Sequence, residues 1–148
     1  MRIEIANIDD FTFLDLIDNH ISEKELLNSI SLKRIYMMYD DNTFVGTLRY
    51  NLFWDNTPFI NFIYINEKYR NNGYGTKLLN HFEKDMKNKK YNIVLTSSLS
   101  NEQGQFFFRK NGYIDCGDLI LPTEPLEIIF YKQIWFLYIN QIYDILYL

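Results

Sequence analysis

A glycine-containing loop between an apolar run and an amphipathic helical pattern constrains the fold of this chain more than any other feature. Residues 64–79 pass from a run rich in Ile, Phe and Tyr through Arg-Asn-Asn-Gly-Tyr-Gly into that helical pattern. Glycine permits a tight turn and close approach of a ligand to the backbone, and amides at the start of a helix attract anions. The sequence therefore predicts a cradle for phosphate or pyrophosphate. It comprises Arg70, Asn71, Asn72, Gly73, Tyr74, Gly75 and Thr76.

Spacing separates this loop from two other phosphate-binding loops. A Walker A loop ends in Gly-Lys-Ser/Thr, whereas this one continues as Gly75-Thr76-Lys77. A dinucleotide-binding fingerprint needs a third glycine at the position of Leu78, together with a parallel βαβ start. The pattern that remains is Arg-x-x-Gly-x-Gly.

The elements around the loop predict a mixed α/β sheet in the order β-α-α-β-β-β-α-β-α-β-β. Asp9 or Asp10 is predicted to cap a first helix, and Ser22 a second helix that buries Leu26, Leu27 and Ile30. Three strand-like runs between residues 34 and 66 predict an antiparallel meander. The helix at residues 73–88 is predicted to bury Leu78, Leu79, Phe82 and Met86 and to expose Lys77, Asn80, Glu83 and Lys87.

A second segment follows one helix and one strand later, where Asn101 is predicted to cap a further helix. It reads Asn-Glu-Gln-Gly-Gln-Phe-Phe-Phe-Arg-Lys-Asn-Gly-Tyr over residues 101–113. This resembles the Asn-x-x-Ala-x-x-Phe-Tyr-x-Lys-x-Gly-Phe signature of the GNAT superfamily of N-acetyltransferases, and Arg-x-x-Gly-x-Gly resembles its pyrophosphate loop. Asn101, Phe107, Lys110 and Gly112 match as they stand, while Gly104 and Tyr113 replace Ala and Phe.

The resemblance implies a GNAT fold. That fold is a mostly antiparallel sheet of six to seven strands, splayed between strands 4 and 5 and flanked by about four helices. It covers residues 1–132, and residues 133–148 form an apolar extension of the same domain. In the family, the strand before the pyrophosphate loop bulges away from its neighbour.

The resemblance also implies acetyl transfer from acetyl-CoA to a primary amine, by direct attack and with no metal. Backbone groups of Ile63 and Ile65 would bind the pantetheine arm and the thioester carbonyl. The Asn101 side chain would hold the same arm, and Phe107 and Phe108 would line the CoA channel.

The catalytic side chains depart from the family pattern. The Tyr that often protonates the leaving thiolate is replaced by Phe108, and Phe59 stands where some relatives carry a Glu. Another group or water could supply the proton, or the thiolate could leave unassisted, because a thiol of pKa about 8.5 is a tolerable leaving group. Asn61, Tyr64 and Ser97 are the candidates for ordering a water that relays the amine proton.

Composition and charge indicate which binding partners and which cellular compartment to expect. The 148 residues suit one domain, and a net charge of −4 argues against nucleic acid. Two His without ligand spacing predict no metal. The single Cys116 and the lack of a signal peptide at the N-terminus predict a reducing, cytoplasmic setting. Acidic residues within 11–31, where the family sets its acceptor, favour a cationic small-molecule amine.

Residues 134–148 are strongly apolar but shorter than the roughly 20 residues that span a bilayer. Such a surface needs covering, by the chain's own sheet, by a homodimer partner or by a membrane surface; the prediction for the whole chain is no membrane. The sequence thus predicts an N-acetyltransferase acting on a small-molecule amine. Two alternatives remain: a non-catalytic CoA-binding or regulatory module, and a protein or tRNA acetyltransferase, with the acidic pI counting against tRNA.

Overall fold

The computed structural model describes residues 1–135 and confirms the mixed α/β class, with seven strands and four α-helices. The strands are β1 (Arg2–Ile5), β2 (Ile35–Asp40), β3 (Thr43–Phe53), β4 (Thr57–Ile65), β5 (Ile93–Leu99), β6 (Ile114–Leu119) and β7 (Glu127–Gln133). The helices are α1 (Phe11–Ile17), α2 (Glu23–Ser31), α3 (Tyr74–Asn88) and α4 (Gly104–Lys110). Short 3₁₀ helices occupy Ile8–Asp10 and Glu67–Tyr69.

The chain divides into two compact units, residues 1–82 and residues 83–148. The predicted division into 1–132 and 133–148 stays a prediction, and residues 136–148 lie outside the described part. No helix within residues 1–135 is both long enough and apolar enough to cross a bilayer.

The first unit contains the predicted meander. Its strands follow one another in the order β1-β2-β3-β4, and each neighbouring pair is antiparallel. The register pairs Arg49 with Phe62 but Tyr50 with Ile60, so Asn61 is an extra residue on β4. Such an insertion is a β-bulge, which bends its strand. A bulge is what the resemblance implies for the strand before the pyrophosphate loop.

The helix caps of the first unit correct one prediction and confirm another. Asp10 precedes α1 but makes no capping bond to it, because the Asp10 carboxylate accepts the Asn7 amide at 2.8 Å. Asn7 instead caps the preceding 3₁₀ helix, so the prediction of an Asp9 or Asp10 cap is wrong. Ser22 caps α2 as predicted, although Leu27 is 41% exposed rather than buried.

Helix α3 buries the predicted apolar side chains Leu78, Leu79, Phe82 and Met86. Glu83 contradicts the pattern, since it was predicted to face solvent and is only 9% exposed. Its partners come from distant segments of the second unit and are described below.

The second unit orders its strands β5-β7-β6, and both pairs are antiparallel. Helix α4 begins at Gly104 with Gln103 before it, so the prediction that Asn101 caps this helix is wrong. The Gln105 side chain stabilises the turn before α4, because its Nε2 donates to the carbonyls of Ser100 at 2.8 Å and Glu102 at 3.0 Å. The helix ends as predicted at Asn111-Gly112, and Gly112 takes the left-handed φ of +88°.

Candidate active site

The predicted cradle is an irregular loop that leads directly into α3. Asn71 and Gly73 both adopt left-handed backbone, with φ of 62° and 81°. The Lys77 amide donates to the Gly73 carbonyl at 3.0 Å, which is the first bond of the helix. The amides of residues 74–76 therefore precede any intrahelical acceptor and point out of the helix start. This arrangement suits a bound anion.

Side-chain hydrogen bonds fasten the loop to the end of β4. Arg70 Nε donates to the Ile65 carbonyl at 2.8 Å, and Asn72 Nδ2 donates to the Arg70 carbonyl at 2.9 Å. The Arg70 guanidinium also lies 5.6 Å from the centre of the Tyr64 ring. Arg70 is exposed, so its terminal nitrogens remain accessible to an anion.

The edge of β4 that faces away from β3 carries the backbone groups that the resemblance assigns to CoA. The Asn66 amide donates to the Val45 carbonyl at 2.8 Å, which fixes the hydrogen-bonding phase of the β3–β4 ladder. Residues that bond to the partner strand alternate with residues that do not. Tyr64 and Phe62 therefore bond to β3, while the amides and carbonyls of Ile63 and Ile65 point to the opposite edge.

The candidate water-ordering groups of the first unit lie on this same strand. Asn61 is exposed at the bulge. The half-buried Tyr64 ring lies nearly parallel to Phe44 and Phe62, with centroids 6.4 Å and 6.3 Å away. The bulge, the Ile63 and Ile65 backbone groups and the loop thus belong to one continuous segment, residues 57–76.

The second unit holds the remaining predicted residues. Ser97 on β5 is half-buried, Asn101 is exposed in the turn before α4, and Phe107 is half-buried on that helix. Phe108 is only 4% exposed and packs among the rings of Phe107, Tyr113 and Phe130. The role of all these residues in binding CoA stays a prediction.

A polar triad of the buried Glu83 and Tyr113 with the half-buried Lys132 lies beside Phe108, and sequence reasoning missed it. Tyr113 Oη donates to Glu83 at 3.1 Å, and Lys132 Nζ donates to both Glu83 oxygens at 2.9 and 3.1 Å. Burial, with the charge of Glu83 and this hydrogen bond, raises the pKa of the Tyr113 hydroxyl far above its ordinary value. The Tyr113 hydroxyl therefore holds its proton strongly and shares it with Glu83. No local pattern indicates the triad, because its members lie 30 and 49 residues apart.

A second missed pair lies in the first unit. Arg49 Nε donates to Asp18 Oδ2 at 2.8 Å, and the Arg49 and Asp18 side chains are only 10% and 2% exposed. The pair connects β3 to the turn after α1. An Arg inside a strand-like run, between Leu48 and Tyr50, was the available signal, since charged residues are buried only when they are paired.

Neither a metal nor a thiol nucleophile is indicated in the described part. Residues 1–135 contain no group of three His, Cys, Asp or Glu placed to hold a metal ion. Cys116 is exposed, and partial burial of its sulfur with the charge of Asp115 raises the pKa of its thiol. A raised thiol pKa disfavours the nucleophilic thiolate.

Comparison with known proteins decides the family. The model of the acetyltransferase (GNAT) family matches residues 4–113, which is more than half of the chain. The chain belongs to the GNAT family. The predicted family and the predicted enzyme class, a GNAT-type acyltransferase, are therefore confirmed. Among curated proteins, none matches the chain.

Solved structures share the GNAT fold. An acetyltransferase of the family from Bacillus cereus ATCC 10987 is 28% identical with a TM-score of 0.71, over 89% of this chain and 96% of that protein. An aminoglycoside 6′-N-acetyltransferase complexed with coenzyme A is 16% identical, with a TM-score of 0.77 over 93% and 99%. The ribosomal-protein-S18-alanine N-acetyltransferase from Escherichia coli is 13% identical, with a TM-score of 0.76 over 94% and 97%. At these last two identities the likeness shows the fold alone.

Proposed function

We propose that this GNAT protein transfers the acetyl group of acetyl-CoA to a primary amine of a small molecule. The observation that carries the proposal is the segment formed by β4 and its loop. The backbone groups of Ile63 and Ile65 point away from β3, and outward amides follow at residues 74–76. A neighbour of the same fold was solved with coenzyme A bound.

The proposed roles follow from the chemistry of each group. The loop amides and Arg70 hold the pyrophosphate, because amides at a helix start and a guanidinium both favour phosphate. The Ile63 and Ile65 backbone groups position the pantetheine arm and polarise the thioester carbonyl. Asn101 contributes its exposed amide to the same arm, and Phe107 contributes apolar surface.

The reaction is a direct displacement at the thioester. The neutral amine attacks the carbonyl carbon, the carbon–sulfur bond breaks, and CoA leaves as a thiolate. The amine proton passes to a water ordered by Asn61, Tyr64 or Ser97. Phe108 has no proton to give and Tyr113 donates its own to Glu83, so neither residue assists the departure of the thiolate as an acid. General acid help is worth roughly 10²–10⁴-fold, so slow turnover is the expected consequence.

Two measurements test the proposal. Calorimetry of CoA binding tests the loop, and thiol release from acetyl-CoA across a panel of amines tests catalysis. CoA binding with release that depends on an added amine is the expected result. Tight binding without transfer to any amine would select the non-catalytic, regulatory module.

A protein acceptor is the second candidate. An Escherichia coli neighbour of the same fold is a ribosomal-protein-S18-alanine N-acetyltransferase. Acetylation of peptide N-termini or lysines, with no acetylation of any small amine, would favour the protein acceptor. The single cysteine supports a cytoplasmic location, and the apolar residues 133–148 support a homodimer.

A further inference from the structure

The two faces of β4 differ in what covers them. Ile63 pairs with Leu48 and Leu48 with Tyr36, whose ring lies 5.8 Å from that of Phe82 on α3. The Ile63 face is therefore packed under α3. Because side chains alternate along a strand, Phe62 and Tyr64 lie on the other face.

That other face presents an aromatic surface. The rings of Phe44, Tyr64 and Phe62 follow one another with interplanar angles of 12° and 3°. Phe44 packs against the apolar cluster beneath α1 and α2, whereas Phe62 and Tyr64 are half-exposed. A planar apolar group of a ligand packs well on such rings.

Arg49 lies opposite Phe62 in the register of the same face. Arg49 Nε donates to Asp18. Within residues 1–135 neither terminal nitrogen of Arg49 makes a hydrogen bond. A guanidinium has five N–H donors, so four remain for other partners. No fully enclosed polar side-chain atom of the described residues lacks a partner. The two terminal nitrogens of Arg49 are therefore not fully enclosed by the described residues, although the side chain as a whole is only 10% exposed.

The charge around Arg49 favours a neutral partner oxygen. Asp18 already balances the guanidinium, and Asp15, Glu23 and Glu25 make the α1–α2 segment acidic. An added carboxylate would meet this negative charge, whereas a carbonyl oxygen accepts the same hydrogen bonds without it.

We propose that the acceptor is a primary amine that carries both a planar apolar group and a neutral carbonyl oxygen. The ring packs on Phe62 and Tyr64, and the oxygen accepts from Arg49. This inference rests on the proposed function, since it takes the thioester to lie at the Ile63 backbone between those two aromatic residues.

Four amines separate the contributions of ring and oxygen. Phenylalaninamide has both groups, alaninamide lacks the ring, phenethylamine lacks the oxygen, and phenylalanine carries a carboxylate. We expect kcat/KM for phenylalaninamide to exceed each of the other three by about tenfold, as one good packing or hydrogen-bond contact provides. Equal values for all four amines would overturn the inference.

Substitutions test which residues cause the preference for phenylalaninamide. Phe62→Leu is expected to reduce the preference for phenylalaninamide over alaninamide to less than about threefold. The pair Asp18→Asn with Arg49→Gln, which leaves no buried charge, is expected to remove the preference over phenethylamine. Phe53→Leu is the matched control, because Phe53 is an exposed aromatic at the far end of the same hairpin. An unchanged preference in Phe62→Leu would contradict the aromatic subsite, even if the double variant failed to fold.

The controls separate failure of this inference from failure of the proposed function. CoA binding without acetylation of any amine would defeat the proposed function. Acetylation without preference for the ring or the oxygen would defeat only the inference about the acceptor. Calorimetry with CoA is expected to give the same affinity for Phe62→Leu and the parent chain.

Discussion

At the scale of single residues, the backbone conformation of Gly73 shapes the proposed CoA loop. Its φ of +81° is left-handed, and a Cβ placed there meets no atom within 4 Å. The cost of Gly73→Ala is therefore backbone strain of roughly 1–2 kcal/mol rather than a clash. We expect the loop to relax and CoA affinity to fall about 5- to 30-fold, measured by calorimetry.

Gly117→Ala is the control for this variant. A Cβ at Gly117 also meets nothing within 4 Å, and its φ is outside the left-handed region. CoA affinity in this control is expected to match the parent. If Gly73→Ala bound CoA as tightly as Gly117→Ala, the loop would not be the pyrophosphate site.

Gly46 constrains the same segment by steric contact. A Cβ there would lie 2.5 Å from the Tyr64 carbonyl oxygen and 2.5 Å from Ile65 Cδ1. Because one of these atoms is backbone, Gly46→Ala must push β3 and β4 apart, at a cost of about 1–3 kcal/mol. We expect a lower Tm by thermal denaturation together with weaker CoA binding. An unchanged Tm would show that the strands adjust without strain.

At the scale of elements, strand-like runs joined by short turns predicted the meander, and hydrophobic periodicity predicted the buried face of α3, because both signals are local in the sequence. Periodicity failed for Glu83, which lies among polar residues on the helical wheel. The Glu83 partners, Tyr113 and Lys132, arrive from far along the chain. Only the tertiary fold turns that polar position into a buried one.

The Glu83–Lys132 pair is expected to contribute strongly to stability. Lys132→Met leaves the Glu83 carboxylate with only the Tyr113 hydroxyl, and leaving a largely buried acceptor without its partner costs about 1–3 kcal/mol. Adding Glu83→Gln removes the stranded charge, so the double variant should recover part of that loss. Urea unfolding of the three variants and the parent measures this cycle.

Lys89→Met provides the comparison, because Lys89 pairs with Asp85 at 2.7 Å near the surface of α3. Exposed helical pairs are worth about 0.3–0.5 kcal/mol. A loss in Lys132→Met no larger than that in Lys89→Met would contradict the importance of the triad.

Tyr113 gives the triad a dependence on pH. Its hydroxyl pKa is raised in the folded state above the ordinary value of 10.0, by burial first and then by Glu83. Just above pH 10 only the unfolded chain loses this proton. The contribution of Tyr113 to the free energy of unfolding is therefore complete below about pH 10 and declines at higher pH. Tyr113→Phe is expected to flatten the fall in unfolding free energy between about pH 10 and 11. Equal slopes for variant and parent would contradict this.

At the scale of the whole molecule, the two halves of the proposed site differ in how far sequence could reveal them. The proposed CoA loop is one contiguous segment whose glycines and helix start are local, so a sequence motif can predict it. The acceptor surface combines Asp18, Arg49 and Phe62, which the fold brings together from three separate segments. They form no motif, and apart from the charge of Arg49 inside a strand-like run nothing local distinguishes them from core residues.

The apolar end of the chain lies outside the described residues and stays a sequence prediction. Ten of its thirteen residues, 136–148, are Ile, Leu, Phe or Tyr. An apolar surface of this kind is normally covered in a soluble protein, and a second copy of the chain would cover it. We expect the full chain to sediment as a dimer and a chain ending at Trp135 to sediment as a monomer. A monomeric full chain at micromolar concentration would instead favour coverage by the chain's own sheet.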